Sequence, residues 1–314
     1  MGSEILDHRS AKFDVTNQVD TTEPVSVSFE VAQIYERLYR REFPSAVVRV
    51  FADVGRMYRG EFPGYHACET EYHDLQHILE VTLAMARLMD GCVKSTNPLV
   101  MNERLFLVGA VSAMFHDIGY LRRIGDTEKQ HGAEYTRIHV RRGAEFMSWY
   151  LPAVGLADLA GPASRIVHFT GYEIPVNSIQ IEPQFRMVGN LLGSADILAQ
   201  MADRCYLEKC HERLYPEFVL GGIARQVDEK GEEKVVFESP DDLIFKTPGF
   251  FQGASKRLEQ DLQGVYRFVG SHFQGENLYY SAARRNIDYA QAIAEARDIS
   301  LLRRRPPSDL AEAA

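Results

Sequence analysis

Met114-Phe115-His116-Asp117-Ile118-Gly119-Tyr120 closes an apolar run that begins at Leu99 and is broken only by Asn102-Glu103-Arg104. A segment apolar on every face predicts a helix buried on every side, which makes 99–115 the central helix. His116 and Asp117 then stand where that helix stops. An imidazole and a carboxylate placed there can turn toward one metal ion.

Outward from that stretch, helical spacing dominates. Residues 71–90 carry Ile78, Leu79, Val81, Leu83, Ala84, Ala86 and Leu88 behind Tyr72-His73-Asp74-Leu75-Gln76-His77. The four-residue step predicts His73 and His77 on one helix face, one turn apart, with Gly91 closing the helix and a link at 95–98. After a break at 119–127 the pattern resumes over 128–150, with His131, Glu134 and His139 on it. Another helix over 157–169 ends in Ile166-Val167-His168, and a long or broken one over 185–214 contains Asp196. Helices are also expected at 27–41, after Pro44, at 250–273 and at 282–302. Residues 226–238 are charged around Val235-Val236-Phe237, which suggests a small hairpin. The fold class is therefore all-α: one helical domain over 27–302 with its core at 71–208, extra helices at both ends, a flexible arm at 1–26 and a flexible tail at 303–314.

Composition narrows the function. The 314 residues are 45% hydrophobic and 25% charged, enough to bury a substantial core. No run approaches the ~20 apolar residues of a membrane span, and no apolar export signal follows Met1-Gly2-Ser3, so a cytoplasmic chain without a membrane partner is expected. A net charge of −9 argues against duplex nucleic acid as a partner, but a small anionic substrate stays open because bound metal ions add positive charge. Cys205 and Cys210 stand too far apart for a short-spaced zinc pair, so the cysteines are expected free.

His77, His116, Asp117, His168 and Asp196 all fall inside or at the edge of apolar segments. An unpaired polar group there costs about 2–7 kcal/mol. Jointly they suggest a metal site, and mixed imidazole and carboxylate ligands suit one or two divalent ions among manganese, iron, nickel, zinc and magnesium. A carboxylate such as Asp117 can bridge two ions, which together activate water and clamp a phosphoryl group. A nearby His can then donate the proton that the leaving oxygen needs.

Tyr72-His73-Asp74-Leu75-Gln76-His77, Phe115-His116-Asp117-Ile118-Gly119 and Ala195-Asp196 resemble the HD superfamily of metal-dependent phosphohydrolases over roughly 71–208. The first motif is most similar to the Tyr-His-Asn-x-x-His motif of cyclic-nucleotide phosphodiesterases. The resemblance implies an HD-type helical bundle in which His77, His116, Asp117 and Asp196 hold the principal metal, Asp117 bridges, and His73 donates the proton. His139 to Glu145 and Ile166-Val167-His168 resemble segments of the HD-GYP cyclic-dinucleotide phosphodiesterases, which implies His139 and His168 as ligands of a second metal. Tyr120 departs from the Lys of that family, Val167 from one half of its His pair, and Asp74 from the Asn of the mononucleotide motif. Gln252 is the candidate for a base-gripping amide.

The expected activity is hydrolysis of a small phosphorylated substrate, a cyclic or small nucleotide, with His73 and Asp117 as catalytic residues. His131 and Glu134 are expected behind the ligands, and Arg122 and Arg123 against substrate phosphate. The same ligand set also resembles the di-iron oxygenases of the HD superfamily, and a nucleotide-sensing module without catalysis is a third reading. Neither the oligomeric state nor a role for 221–302 follows from the sequence.

Overall fold

The computed structural model describes residues 9–95, 101–227, 231 and 233–307. Four helices form the frame: α1 (Pro24–Tyr39), α2 (Ser45–Tyr58), α3 (Leu75–Ser95) and α4 (Glu103–Phe115). Then come α5 (His139–Ala153), α6 (Ala157–Ile166) and α7 (Pro183–Ala202), followed by the short α8 (Tyr206–Lys209) and α9 (Tyr215–Leu220). The chain ends through α10 (Pro240–Lys256), α11 (Val269–His272) and α12 (Leu278–Ala296). Strands β1 (Arg225–Val227) and β2 (Glu233–Val235) pair antiparallel, Gln226 opposite Lys234, as the expected hairpin. The fold is all-α with that one small ribbon, and no helix among the described residues is long and apolar enough to cross a membrane.

Helix α3 is the hub, packed between α7, α4 and α11. It buries nearly its whole length from Gln76 to Cys92, so it presents several faces to neighbours rather than one. Helix α4 is buried from Leu105 to Phe115 save Leu107, as its all-round apolar sequence requires. Asn102 caps its start by accepting from the Leu105 amide at 3.0 Å.

Several sequence expectations give way to tertiary contacts. Helix α3 begins at Leu75 rather than 71, because the Asp74 carboxylate accepts from the His77 amide at 2.8 Å and ends the helix there. His73 therefore lies in the bend ahead of α3 and not on its face. Gly91 does not close α3, which runs on to Ser95; it is where the Phe268 backbone crosses, and a Cβ there would stand 1.8 Å from the Phe268 carbonyl oxygen. Past Ser95, the expected link at 95–98 lies outside the described residues.

Of the expected flexible arm at 1–26, residues 1–8 lie outside the described residues. From Arg9 onward the segment is packed. Arg9 donates to the Ala202 carbonyl at 2.5 Å, and Asp14 pairs with Arg87 at 2.7 Å with both side chains buried. Phe13 and Asp20 form a strand-like bridge before α1 starts at Pro24. Polar residues engaging buried polar partners leave no apolar periodicity to detect. The tail is likewise tied down as far as Pro307: Arg304 donates to the Arg204 carbonyl at 2.5 Å and to Asn286 at 2.7 Å. The rest of it, 308–314, is outside the described residues.

Gly91→Ala should lower stability by about 2–3 kcal/mol, since backbone rather than a flexible side chain must move. Urea unfolding would check this, and an unchanged midpoint would mean that the Phe268 crossing is not a tight constraint.

Candidate metal centre

Three elements deliver the donors. His77 projects from the first turns of α3, His116 caps α4 with Asp117 next to it, and Asp196 projects from α7. The donor atoms of His77, His116 and Asp117 all lie within 4.8 Å of one another, and all three residues are buried. His77 Nε2 stands 3.5 Å from Asp117 Oδ2 and 3.5 Å from Asp196 Oδ1. His116 Nε2 stands 3.2 Å from Asp117 Oδ2, 3.3 Å from His77 Nε2 and 3.9 Å from Asp196 Oδ1.

Those spacings fit a metal ion. Atoms bound at about 2.0–2.2 Å from one ion stand roughly 3.0–3.5 Å apart. The tautomers agree: His116 Nδ1 donates to the Ala113 carbonyl at 2.8 Å, which leaves Nε2 as the ring nitrogen with a lone pair toward His77 and the carboxylates. Imidazole ligands are commonly oriented in this way, through a backbone carbonyl on the other nitrogen. Without a cation, two buried nitrogens and the buried Asp117 carboxylate would face one another beside the half-buried Asp196, and protons would have to fill the role. Burial lowers the His77 pKa, but Asp117 and Asp196 outweigh it and push it up to about 10. Burial raises the Asp117 carboxyl, yet the surrounding His116, His139 and His77 hold it well below the carboxylate range.

Asp117 uses its two oxygens on different partners. Oδ2 faces His77 and His116, whereas Oδ1 stands 3.3 Å from His139 Nε2. The His139 ring is fixed in the same manner as His116, with Nδ1 donating to the Thr136 carbonyl at 2.7 Å. Burial lowers its pKa and the Asp117 contact overrides that, for a net rise. Gly119 makes this approach possible, because the His139 backbone passes so close that a Cβ on Gly119 would lie 1.9 Å from the His139 carbonyl oxygen.

His168 stands on the turn Val167–Phe169, with its buried Nδ1 lacking a hydrogen-bond partner among the described residues and 3.9 Å from the Glu173 carboxylate, which lines the same cavity as His139. Burial lowers the His168 pKa against a smaller opposing effect of Glu173.

His73 reaches the same cavity from the bend before α3. Its Nδ1 sits 2.5 Å from Glu217 Oε2, and the other Glu217 oxygen accepts from the Tyr72 amide at 2.6 Å. Glu217 is buried on α9, and nothing local in the sequence marks it. Tyr120, which the sequence marks only as a departure from Lys, also belongs to the site. Its ring stacks on His73 (4.5 Å, 21°) and on His139 (4.3 Å, 15°), so one aromatic plane spaces these two imidazoles.

The remaining site expectations are placed elsewhere. His131 and Glu134 form a reciprocal cap on the turn Gly132–Tyr135, with His131 Nδ1 accepting from Ala133 and Glu134 accepting from the His131 amide. They are not on a continuous helix face behind the ligands. Arg122 makes a two-pronged pair with Glu69 at 2.7 and 2.8 Å and donates to Lys129, while Arg123 is exposed opposite Tyr65. Neither lines the cavity. Gln252 is exposed and also outside it.

His73, His77, Asp117, His139 and Asp196 line one end of a cavity of about 700 Å³. Its other walls come from Thr136 and Arg137, from the segment 170–173, from α7 to α10 and from the chain around the hairpin.

No protein-family model matches the chain, and no curated protein matches it. Among solved structures, the phosphodiesterase domain of the RhoPDE fusion protein from the choanoflagellate Salpingoeca rosetta is similar, with a TM-score of 0.52 over 95% of this chain and 99% of that chain. Sequence identity is 13%, so the likeness establishes a shared helical fold.

Asp117→Ala should abolish stoichiometric retention of a divalent ion, and Gly119→Ala should weaken it by roughly 10–100-fold through displacement of His139. Elemental analysis of dialysed protein, with manganese titrations of the chelator-stripped chain, would measure both. Full metal retention in Asp117→Ala would remove that carboxylate from the site.

Proposed function

We propose that the chain is a metal-dependent phosphodiesterase that hydrolyses a small phosphoester, with cyclic and small nucleotides as the first class to test. The observation that carries this reading is the His73–Glu217 pair held at the rim of the cavity whose base is formed by His77, Asp117 and Asp196, with His116 behind them. The shared fold with a phosphodiesterase domain supports it.

His77, His116, Asp117 and Asp196 would hold the principal ion. The division of the Asp117 oxygens, one toward His77 and His116 and one toward His139, suits a carboxylate shared with a second ion at His139. His168, whose unpartnered Nδ1 faces the cavity-lining Glu173, is the candidate for a further ligand of that second ion. When bound, such ions supply Lewis acidity for a phosphoryl group and lower the pKa of water.

The protein's own part is positioning and proton transfer. Glu217 accepts the Nδ1 proton of His73, which fixes the tautomer and ring orientation and leaves Nε2 as the nitrogen that serves the cavity. As an imidazolium whose charge the Glu217 carboxylate balances, His73 gives its Nε2 proton to the leaving oxygen while water oxygen bonds to phosphorus and the ester phosphorus–oxygen bond breaks. The ring then regains a proton from the one that water releases. Tyr120 restrains the ring from its face, and the Glu217 bond to the Tyr72 amide restrains the carboxylate. The acid is thus held from two directions before substrate enters, the preorganisation that a proton-transfer step needs.

His73→Ala should retain metal and lose about 10²–10⁴-fold in kcat. Glu217→Ala should lose less, roughly 10-fold or more, again with metal retained, because it frees the ring without removing it. The assay is a panel of cyclic mono- and dinucleotides, nucleotide monophosphates and simple phosphodiesters with manganese, magnesium or iron. Unchanged turnover in His73→Ala would exclude the proton-donor role, and no turnover of any diester with any of these ions would overturn the hydrolase reading.

A further inference from the structure

The cavity is much larger than the metal end requires, and its far end has a distinct chemistry. Leu214, Phe218, Ile223, Phe237, Leu243 and Phe250 line it, with Phe218 and Phe237 stacked at 5.8 Å and 22°. These residues come from the stretch running from the end of α8 through α9 and the hairpin to α10, and Ile223, Phe237, Leu243 and Phe250 fall in 221–302, to which the sequence assigned no role.

Several polar side chains of the cavity wall are tied back to the protein, which leaves the Glu173 carboxylate and part of the Arg137 guanidinium as the exceptions in a mainly apolar lining. Thr247 donates its hydroxyl proton to the Leu243 carbonyl at 2.8 Å, and Lys246 donates to Asp242 at 2.7 Å and to the Val236 carbonyl at 2.8 Å. Arg137 donates to the Gly222 carbonyl at 2.7 Å. Burial raises the Tyr206 hydroxyl far above its ordinary range, so it stays neutral, next to Cys210. Among the described residues, Gln200 is the one side-chain amide lining the cavity. It sits one turn beyond Asp196, facing the Asp196 carbonyl and the Tyr72 hydroxyl, at the metal end.

A purine or pyrimidine has a polar edge that needs directional partners in a buried pocket. This chamber presents aromatic and aliphatic surface in that place. Resting on the phosphodiesterase reading above, we infer that the substrate is a phosphoester whose organic group is apolar, aryl or alkyl, seated among Phe218, Phe237, Leu243 and Phe250 with its phosphoryl group at His73, His77 and Asp117. The region around the hairpin is then the specificity wall of the enzyme.

The test is calorimetric titration of the manganese-loaded full chain with diphenyl phosphate, dibutyl phosphate and adenosine monophosphate. Binding order is read there without any turnover. The apolar esters should bind about 30-fold tighter than the nucleotide, and Phe237→Ala should weaken them about 10-fold while moving the nucleotide less than about 2-fold. Preference for the phenyl or the butyl ester alone supports the inference and identifies the group as aryl or alkyl. Phe250→Ser, at the exposed mouth, should shift affinity in the same direction and stands in if Phe237→Ala fails to fold. A nucleotide that binds as tightly as both esters, or variants that weaken all ligands equally, would overturn it. Absence of phosphodiester turnover with the binding order intact would instead fault the catalytic reading alone.

Discussion

The molecule is organised around a group of polar atoms whose close approach in a helical core requires a proton or a metal ion among them. His77 and His116 bring ring nitrogens to 3.3 Å from each other, and the Asp117 and Asp196 carboxylates lie within 3.9 Å of them, at the centre of a helical core. Like lone pairs and like charges at that distance repel, and burial removes the water that would screen them. Protons or a metal ion must resolve the conflict, and donor spacings near those of a coordination sphere favour the metal. Holding the donors there takes helices fixed on several sides, and α3, α4 and α7 are buried over most of their length.

Around this rigid base the other parts divide the work. The segment Ile118–Tyr120 and the start of α5 bring His139 to the second oxygen of Asp117 and place Tyr120 between two imidazoles. Helix α9 contributes one buried carboxylate, Glu217, that ties the bend before α3 to the far side of the cavity. The N-terminal segment from Arg9 closes the opposite side of α3 and α7 through buried ion pairs and carbonyl contacts. Short-range hydrogen bonds thus secure the chemistry, while the apolar residues from Leu214 to Phe250 shape what enters.

Much of the fold was legible because burial leaves a periodic trace. The all-apolar α4, the alternation in α3 and the small hairpin each follow from local pattern. Less was legible where polar residues satisfy one another. Asp74 carried the signal for where α3 starts, since Asp is a strong helix cap, but the four-residue step from His73 to His77 suggested a continuous turn. His131 and Glu134 obey a capping pattern that helical spacing masks. Arg9 and Asp14 have an ordinary surface composition and are buried only because Ala202 and Arg87 receive them. Gly91 and Gly119 mark close crossings of distant backbone, which no neighbouring residue announces.

The sequence by itself determined an all-α chain with His and Asp residues at the edges of its most apolar helices, because burial imposes periodicity and makes polar exceptions stand out. Only the tertiary structure decided which of those residues meet. It brought His77, His116 and Asp117 together with Asp196 beside them, set His168 against Glu173, engaged Arg122 with Glu69, and supplied Glu217 to His73 from 144 positions away. The physical reason is that a site depends on distances of a few ångströms between side chains on different elements, and those distances are set by how the helices pack rather than by the residues beside each one.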